Sequence, residues 1–87
     1  MATFHLQIAA PDGMRFDGEA TQLSVRSIDG EVAVLAGHIP YVTALSAGEC
    51  RVYTTDGNVR HATCDGGILK VTKEVTRLLS ASFVWKE

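Results

Sequence analysis

Two cysteines and three histidines are the side chains in this 87-residue sequence that could do chemistry. A small cysteine enzyme would need the thiolate of Cys50 or Cys64 held next to the imidazole of His61. His61 and Cys64 stand three residues apart in a predicted strand, so their side chains should lie on opposite faces. No histidine stands at a zinc-ligand spacing from either cysteine. We therefore expect no metal site. Cys50 and Cys64 could form one disulfide, but in a chain without an export signal we expect free thiols.

Lys73 offers a second kind of chemistry. It stands in the sequence VTKEV, in a short turn between two predicted strands. A lysine at a hairpin tip is where lipoyl and biotinyl carrier domains, which are also all-β and of similar size, attach their cofactor. The sequence around Lys73 lacks the DKA and MKM patterns of such domains. We keep a carrier domain modified at Lys73 as the alternative to the interpretation reached at the end of this section.

The known catalytic and phosphate-binding motifs are missing from the sequence. It contains no G-x-S-x-G, no H-E-x-x-H and no glycine-rich loop that opens a helix. Gly66-Gly67 precedes a strand pattern, so it predicts a β-bulge or a close backbone contact. We expect no catalytic residue, no metal ligand and no cofactor.

The composition is that of one soluble globular domain covering residues 1–87. Apolar residues make up 46% and charged residues 21%, and the formal net charge is -2. No cluster of Lys and Arg is present, which argues against a nucleic-acid partner. The N-terminus has no basic segment followed by an apolar one, so we expect no secretory signal. No apolar run approaches the roughly 20 residues of a membrane helix, so we expect no membrane insertion.

Alternating apolar residues and regularly spaced turns predict an all-β fold. Apolar and polar side chains alternate along residues 4–8 and along residues 23–26. The last predicted strand places Thr76 and Leu78 on one face. Turn signals at residues 11–13, 16–18, 46–48 and 56–58 end the predicted strands. This spacing is typical of a small antiparallel β-sandwich or flattened barrel of about eight to ten short strands.

Residues 29–45, DGEVAVLAGHIPYVTAL, form the most informative stretch. Asp29-Gly30 is a turn signal, and the apolar run of residues 32–35 suits a strand covered on both sides. Residues 36–40 should form a tight loop that presents His38, because the residue before a proline is driven to extended geometry. A second strand should follow from Tyr41 to Leu45.

Four motifs in register resemble one family. They are FHLQIAAP at residue 4, FDG at residue 16, GEVAVLAGHIPYVTAL at residue 30 and CDGGILKV at residue 64. Their order and spacing resemble the N-terminal domain of the epsilon subunit of F-type ATP synthases over essentially the whole chain. Ala36 departs from that pattern, because it replaces the proline of the family's usual PGH sequence.

The resemblance implies two contact faces. The first would meet the gamma subunit through Ala10, His38, Thr43 and Asp65. Ala10 and Asp65 depart from the small polar residues usual at these positions, and a carboxylate at residue 65 needs a donor or water. The second would meet the polar loops of the membrane c ring through the turn Ser27, Ile28, Asp29, Gly30 and Glu31. Glu31 could pair there with a basic loop residue.

The resemblance also implies a function. The domain would be a non-catalytic part of the central stalk of a proton- or sodium-translocating ATP synthase, coupling gamma to the c ring at the cytoplasmic face of the cell membrane. Family members usually continue into two C-terminal helices. This chain stops at Glu87 without that arm, either as a natural short form or, as we favour, through a cut at the domain boundary.

Overall fold

The computed structural model describes residues 2–37 and 39–86, and these residues form strands and no helix. The seven strands are β1 Phe4–Ala10, β2 Gly13–Ser27, β3 Gly30–Leu35, β4 Tyr41–Thr54, β5 Val59–Val71, β6 Thr76–Leu79 and β7 Phe83–Trp85. The all-β prediction is confirmed. The strands are fewer and longer than expected because several predicted turns lie inside continuous strands.

Five strands close into a barrel with a flattened sandwich form. The order β1-β6-β5-β4-β2 is completed by pairing of β2 with β1. All pairs are antiparallel except β1 with β6, which run parallel. The two remaining strands extend the barrel, because β3 pairs with β2 and β7 pairs with β5.

Two long strands, β2 and β5, pair with different strands along their length. The first part of β2, from Gly13 to Ala20, pairs with β1, whereas its last part pairs with β3 and β4. In the same way β5 pairs with β7 near Cys64 and with β6 from Ile68 onward. Each of these two strands therefore links two parts of the sheet. The register shifts along β2 mark where that strand bends.

The core lies inside the barrel and follows the period of two along the strands. Ile8 of β1 pairs with Leu78 of β6 and Leu6 pairs with Thr76, and Leu6, Ile8 and Leu78 are fully buried. The remaining buried apolar side chains are Ala20, Leu23, Val25, Val34, Leu45, Cys50, Val52, Ala62, Cys64, Leu69, Val71 and Phe83. Both cysteines are free thiols inside this core.

Of the two alternatives predicted for Gly66 and Gly67, the structure has the close backbone contact and not the β-bulge, because the β4–β5 register continues unshifted through them. Both have positive φ, +80° and +136°. A Cβ on Gly67 would lie 2.0 Å from the carbonyl oxygen of Leu79, so only glycine fits. The Ser80 hydroxyl donates to the carbonyl of Gly66 at 2.7 Å and fixes the crossing from β6 toward β7.

Two predicted turns were wrong. Residues 16–18 lie within β2, where Ile8 pairs with Phe16 and Leu6 with Gly18. Residues 46–48 lie within β4, which continues to Thr54. In both places a small or glycine residue serves close packing: the Arg26 side chain lies over Gly48, 3.1 Å from where a Cβ would stand. Glycine marked a contact there, not a chain reversal.

The strand after the Asp29-Gly30 turn is β3, and the prediction that it is covered on both sides was wrong. β3 pairs with β2 alone among the described strands and so lies at an edge of the sheet, where one of its faces stays open to water. Val34 is buried, whereas Leu35 is 50% exposed. A run of four apolar residues did not reveal which of its members face water, because a buried strand and a half-exposed edge strand share that pattern.

The hairpin at residues 56–58 is confirmed, with a loop one residue longer than the predicted two-residue turn. The amide of Thr54 donates to the carbonyl of Asn58 at 2.9 Å, which leaves residues 55–57 in the loop. Gly57 has φ +87°, the left-handed conformation of a three-residue hairpin loop. The Asp56 carboxylate accepts from the Asn58 amide at 3.2 Å and stabilises the turn.

The C-terminal aromatic residues pack on their own sandwich. Phe83 is buried, and its ring meets Trp85 edge to face at 5.0 Å between centroids. The Trp85 indole donates to the carbonyl of Arg15 at 3.3 Å, and the Arg60 guanidinium lies 3.8 Å from the ring centroid. These contacts tie β7 to β2 and to the start of β5.

Replacing Gly67 by alanine should destabilise the fold severely. The new Cβ collides with backbone that cannot swing away, so we expect a loss of about 3 kcal/mol or more in the free energy of unfolding. Gly13→Ala is the matched control, because Gly13 has a similar φ of +141° and open space around it; it should cost about 1–2 kcal/mol. Urea unfolding measures both, and equal losses would contradict the close contact at Gly67.

Cys50 should be unreactive in the folded chain. Burial raises the pKa of its thiol to about 12, so at about pH 8 it is protonated and a poor nucleophile. Iodoacetamide should therefore modify Cys50 only after unfolding in urea, as read by peptide mass spectrometry. Modification of the native chain at the rate of the urea-unfolded chain would show that the thiol is accessible and ionised.

Candidate functional site

One outward face of the sandwich carries a row of apolar side chains across four neighbouring strands. Ala44 of β4 pairs with Ile68 of β5, and Ile68 pairs with Leu79 of β6. Leu79 in turn pairs with Ala9 of β1. We call these four residues the apolar row. Ile68 and Leu79 are 50% and 51% exposed, so the apolar row offers exposed apolar surface that a partner could cover.

A shallow groove of about 420 Å³ continues the apolar row toward the end of β1. Its lining includes Ile68, Leu79, Ala10 and Pro11. Gly67 also lines it and contributes no side chain. The groove gives the apolar row a concave part that can accept a protruding side chain from another protein.

Polar side chains border the apolar row on its other side. Arg77 Nε donates to Gln7 Oε1 at 3.1 Å, and Gln7 Nε2 reaches Asp17 Oδ1 at 3.5 Å. His5 Nε2 lies 2.6 Å from the same Asp17 oxygen, and this hydrogen bond holds the pKa of the exposed Asp17 carboxyl below its usual value. An apolar centre with a polar border is the usual anatomy of a protein interface.

One of the gamma-contact residues implied by the resemblance, Ala10, lines the groove. Thr43 pairs with the buried Leu69 and so lies on the face opposite that of Ala44 and Ile68, with its hydroxyl donating to the Ala44 carbonyl at 3.4 Å. Asp65 is exposed next to the Gly66 bend, and its amide donates to the Ser82 carbonyl at 3.0 Å. His38 lies outside the described residues.

The turn implied to meet the c ring is a rigid, exposed tip between β2 and β3. Ser27 is buried, and its hydroxyl donates to the Gly30 carbonyl at 2.7 Å and accepts from the Asp29 amide at 3.1 Å. The Ile28 amide donates to the Ala44 carbonyl at 3.1 Å, which fastens the turn to β4. Ile28, 66% exposed, and Asp29 project from this support.

Glu31, the last residue of this turn segment, belongs to a charged network on the second outward face. Arg51 Nη2 lies 2.5 Å from Glu31 Oε1, and Arg51 Nη1 lies 3.5 Å from Glu49 Oε1. Glu49 Oε2 also meets His61 Nδ1 at 3.0 Å and Lys86 Nζ at 3.6 Å. We call these five residues the charged network. The hydrogen bond from His61 is the main cause that lowers the pKa of the exposed Glu49 carboxyl.

The residues considered for catalysis do not come together. The His61 side chain lies on the charged outer face, whereas Cys64 is buried and its thiol points to the Gly66 carbonyl at 3.2 Å. The opposite-face prediction is thus confirmed. Among residues 2–37 and 39–86, no three His, Cys, Asp or Glu side chains are grouped as metal ligands. The same part of the chain contains no helix able to span a membrane.

Lys73 lies exposed in the turn between β5 and β6. That position would suit a modified lysine, but it is equally an ordinary surface turn. The contacts of this part of the chain are local, with the Thr72 hydroxyl donating to the Val75 carbonyl at 2.6 Å. Nothing around Lys73 favours a carrier function over a structural turn.

Sequence reasoning missed the apolar row and the partner of Glu31. Ile68 and Leu79 each read as ordinary members of a strand, and only the register of three pairings places them in one row. Arg51 is 20 residues from Glu31 in the chain. Aligning β4 and β5 from their hairpin turn shows which of their residues face outward side by side. This alignment could have indicated both the apolar row and the outward position of Arg51.

Comparison with known proteins identifies the domain. Residues 3–86 match the family model described as "ATP synthase, Delta/Epsilon chain, beta-sandwich domain". The ATP synthase epsilon chain of Caldicellulosiruptor saccharolyticus is 37% identical over 87 residues, which are 100% of this chain and 63% of that protein. The ATP synthase epsilon chain, sodium ion specific, of Acetobacterium woodii is 34% identical over 98% of this chain and 64% of its own length.

The fold is shared with a chain in the cryo-EM structure of the Euglena gracilis mitochondrial ATP synthase. The TM-score is 0.90 with 24% sequence identity, covering 98% of this chain and 54% of that one. The chain described here thus spans somewhat less than two thirds of the curated relatives above. It belongs, as its motifs indicated, to the family of β-sandwich domains of the ATP synthase delta/epsilon chain.

Proposed function

We propose that this chain is the N-terminal domain of the epsilon subunit of an F-type ATP synthase and that it joins the gamma subunit to the membrane c ring. It is a non-catalytic part of the central stalk of a proton- or sodium-translocating enzyme, held at the cytoplasmic face of the cell membrane by its partners. The observation that carries this proposal is the family match over residues 3–86.

The apolar row and its groove are the proposed gamma contact. They provide exposed apolar area with a polar border, and Ala10 lines the groove. Thr43 and Asp65 stay in the proposal as contacts that the resemblance implies. Burial of Ile68 and Leu79 against a partner releases water from apolar surface, which stabilises a lasting complex. His38 remains part of this proposal as a residue implied by the resemblance.

The turn from Ser27 to Glu31 is the proposed c-ring contact. Ser27 shapes the turn from inside, whereas Ile28, Asp29 and Glu31 are exposed. Asp29 and Glu31 present carboxylates that suit a basic loop, and the exposed Ile28 can add apolar contact. Gly30 has φ +120° and permits the tight reversal.

The experiment that tests the function is capture of this chain by its partners. The purified chain should bind a cognate gamma subunit, and the pair should bind detergent-solubilised c ring. Binding is measured by biolayer interferometry with the folded state checked by circular dichroism. A folded chain that captures neither gamma nor c ring would overturn the proposal.

Leu79→Lys should weaken gamma binding by about tenfold or more, because it places a charge at the centre of a surface that must lose its water. Leu35→Lys is a matched control, since Leu35 is 50% exposed and Leu79 51%, but Leu35 lies on the edge strand β3. The control should bind gamma as the original chain does. Equal losses in both variants, or none in Leu79→Lys, would place gamma elsewhere.

Glu31→Lys should weaken c-ring binding by about tenfold at low salt, because a lysine repels the basic loop that the glutamate attracts. The loss should shrink as salt is raised. Glu74→Lys makes the same change of charge in the exposed turn after β5 and should leave c-ring binding unchanged. Unaltered c-ring affinity of Glu31→Lys at all salt concentrations would remove Glu31 from the contact.

A further inference from the structure

One carboxylate of the charged network, that of Glu31, is already paired with a cation of the same chain. Glu31 Oε1 accepts from Arg51 Nη2 at 2.5 Å, although the Glu31 side chain is still 59% exposed. A basic group arriving at Glu31 would therefore meet a carboxylate shared with a cation of the same chain. Two cations beside one carboxylate repel each other, so the incoming group has to compete with Arg51.

Arg51 has a second carboxylate within reach. Its Nη1 lies 3.5 Å from Glu49 Oε1, close enough for a weak ion pair and too long for a strong hydrogen bond. Its Nε is buried and has no hydrogen-bond partner among the described residues. The guanidinium is thus held at its terminal nitrogens only, between one close and one more distant carboxylate.

We infer that Arg51 is a charge-exchange residue: it pairs with Glu31 in the free chain and passes to Glu49 when a basic group of the partner takes Glu31. This inference rests on the proposed c-ring contact. Glu49 lowers the free-energy cost of breaking the Arg51–Glu31 ion pair, because the guanidinium of Arg51 keeps a carboxylate partner after Glu31 leaves. His61 and Lys86, which also pair with Glu49, limit how well it can accept Arg51.

The exchange makes opposite predictions for the two residues. Arg51→Gln should tighten c-ring binding about two- to fivefold, the range expected for one exposed ion pair that no longer competes. Glu49→Gln should weaken it by a similar factor, because Arg51 loses its alternative partner. Exposed pairs contribute little to stability, so both variants should keep the thermal midpoint of the original chain.

Two controls separate exchange from a general effect of charge. Arg26 stands opposite Glu31 in the β2–β3 register but lies over Gly48, and no ion pair with Glu31 is formed in the described part of the chain. Arg26→Gln therefore removes a nearby positive charge without freeing Glu31, and it should change affinity less than Arg51→Gln. In a Glu31→Gln background, Arg51→Gln and Glu49→Gln should have no effect.

The measurement is the affinity of each single and double variant, loaded with gamma, for detergent-solubilised c ring at one fixed salt concentration. If Glu31→Gln weakens binding but Arg51→Gln does not tighten it beyond Arg26→Gln, the exchange is overturned and the c-ring contact stands. Effects that persist in the Glu31→Gln background overturn the exchange as well. If Glu31→Gln leaves affinity unchanged, the proposed contact itself fails, and the exchange with it.

Discussion

The rest of the structure depends on the close approach between Gly67 and the end of β6. The carbonyl oxygen of Leu79 occupies the space in which a side chain at residue 67 would begin. Because backbone can come this near only to glycine, one strand can pair with β7 in its first part and with β6 in its second. β6 then reaches β1 and completes the closed barrel.

Closure also fixes which side chains face outward. Side chains alternate along a strand, so a slip of β6 by one residue relative to β5 would turn Leu79 inward and Leu78 outward. Leu78 is fully buried, and such a slip would expose this large apolar side chain. The free energy gained by burying the core side chains therefore also keeps the apolar row on the outward face.

The sequence predicted the fold class better than it predicted the bounds of the elements. Alternation in β1 and the Asp56-Gly57 hairpin are local signals, and both were confirmed. The turns predicted at residues 16–18 and 46–48 were wrong because Gly18 and Gly48 allow close packing within strands. Leu35 was misjudged because the exposure of an edge strand depends on which strands lie beside it. The ion pair between Arg51 and Glu31 needs strands β2, β3 and β4 aligned in register, which no local pattern supplies.

In the proposed assembly the two contact faces would differ in their physics. An apolar contact is little affected by salt, whereas ion pairs at an exposed turn are screened and exchangeable. Force passing between such contacts must travel through the body of the domain. Ala44 offers the shortest route: its carbonyl holds the Ile28 amide at 3.1 Å, while its side chain belongs to the apolar row. The two faces are thus joined by a backbone hydrogen bond within a closed sheet, so load between them need not pass through flexible side chains.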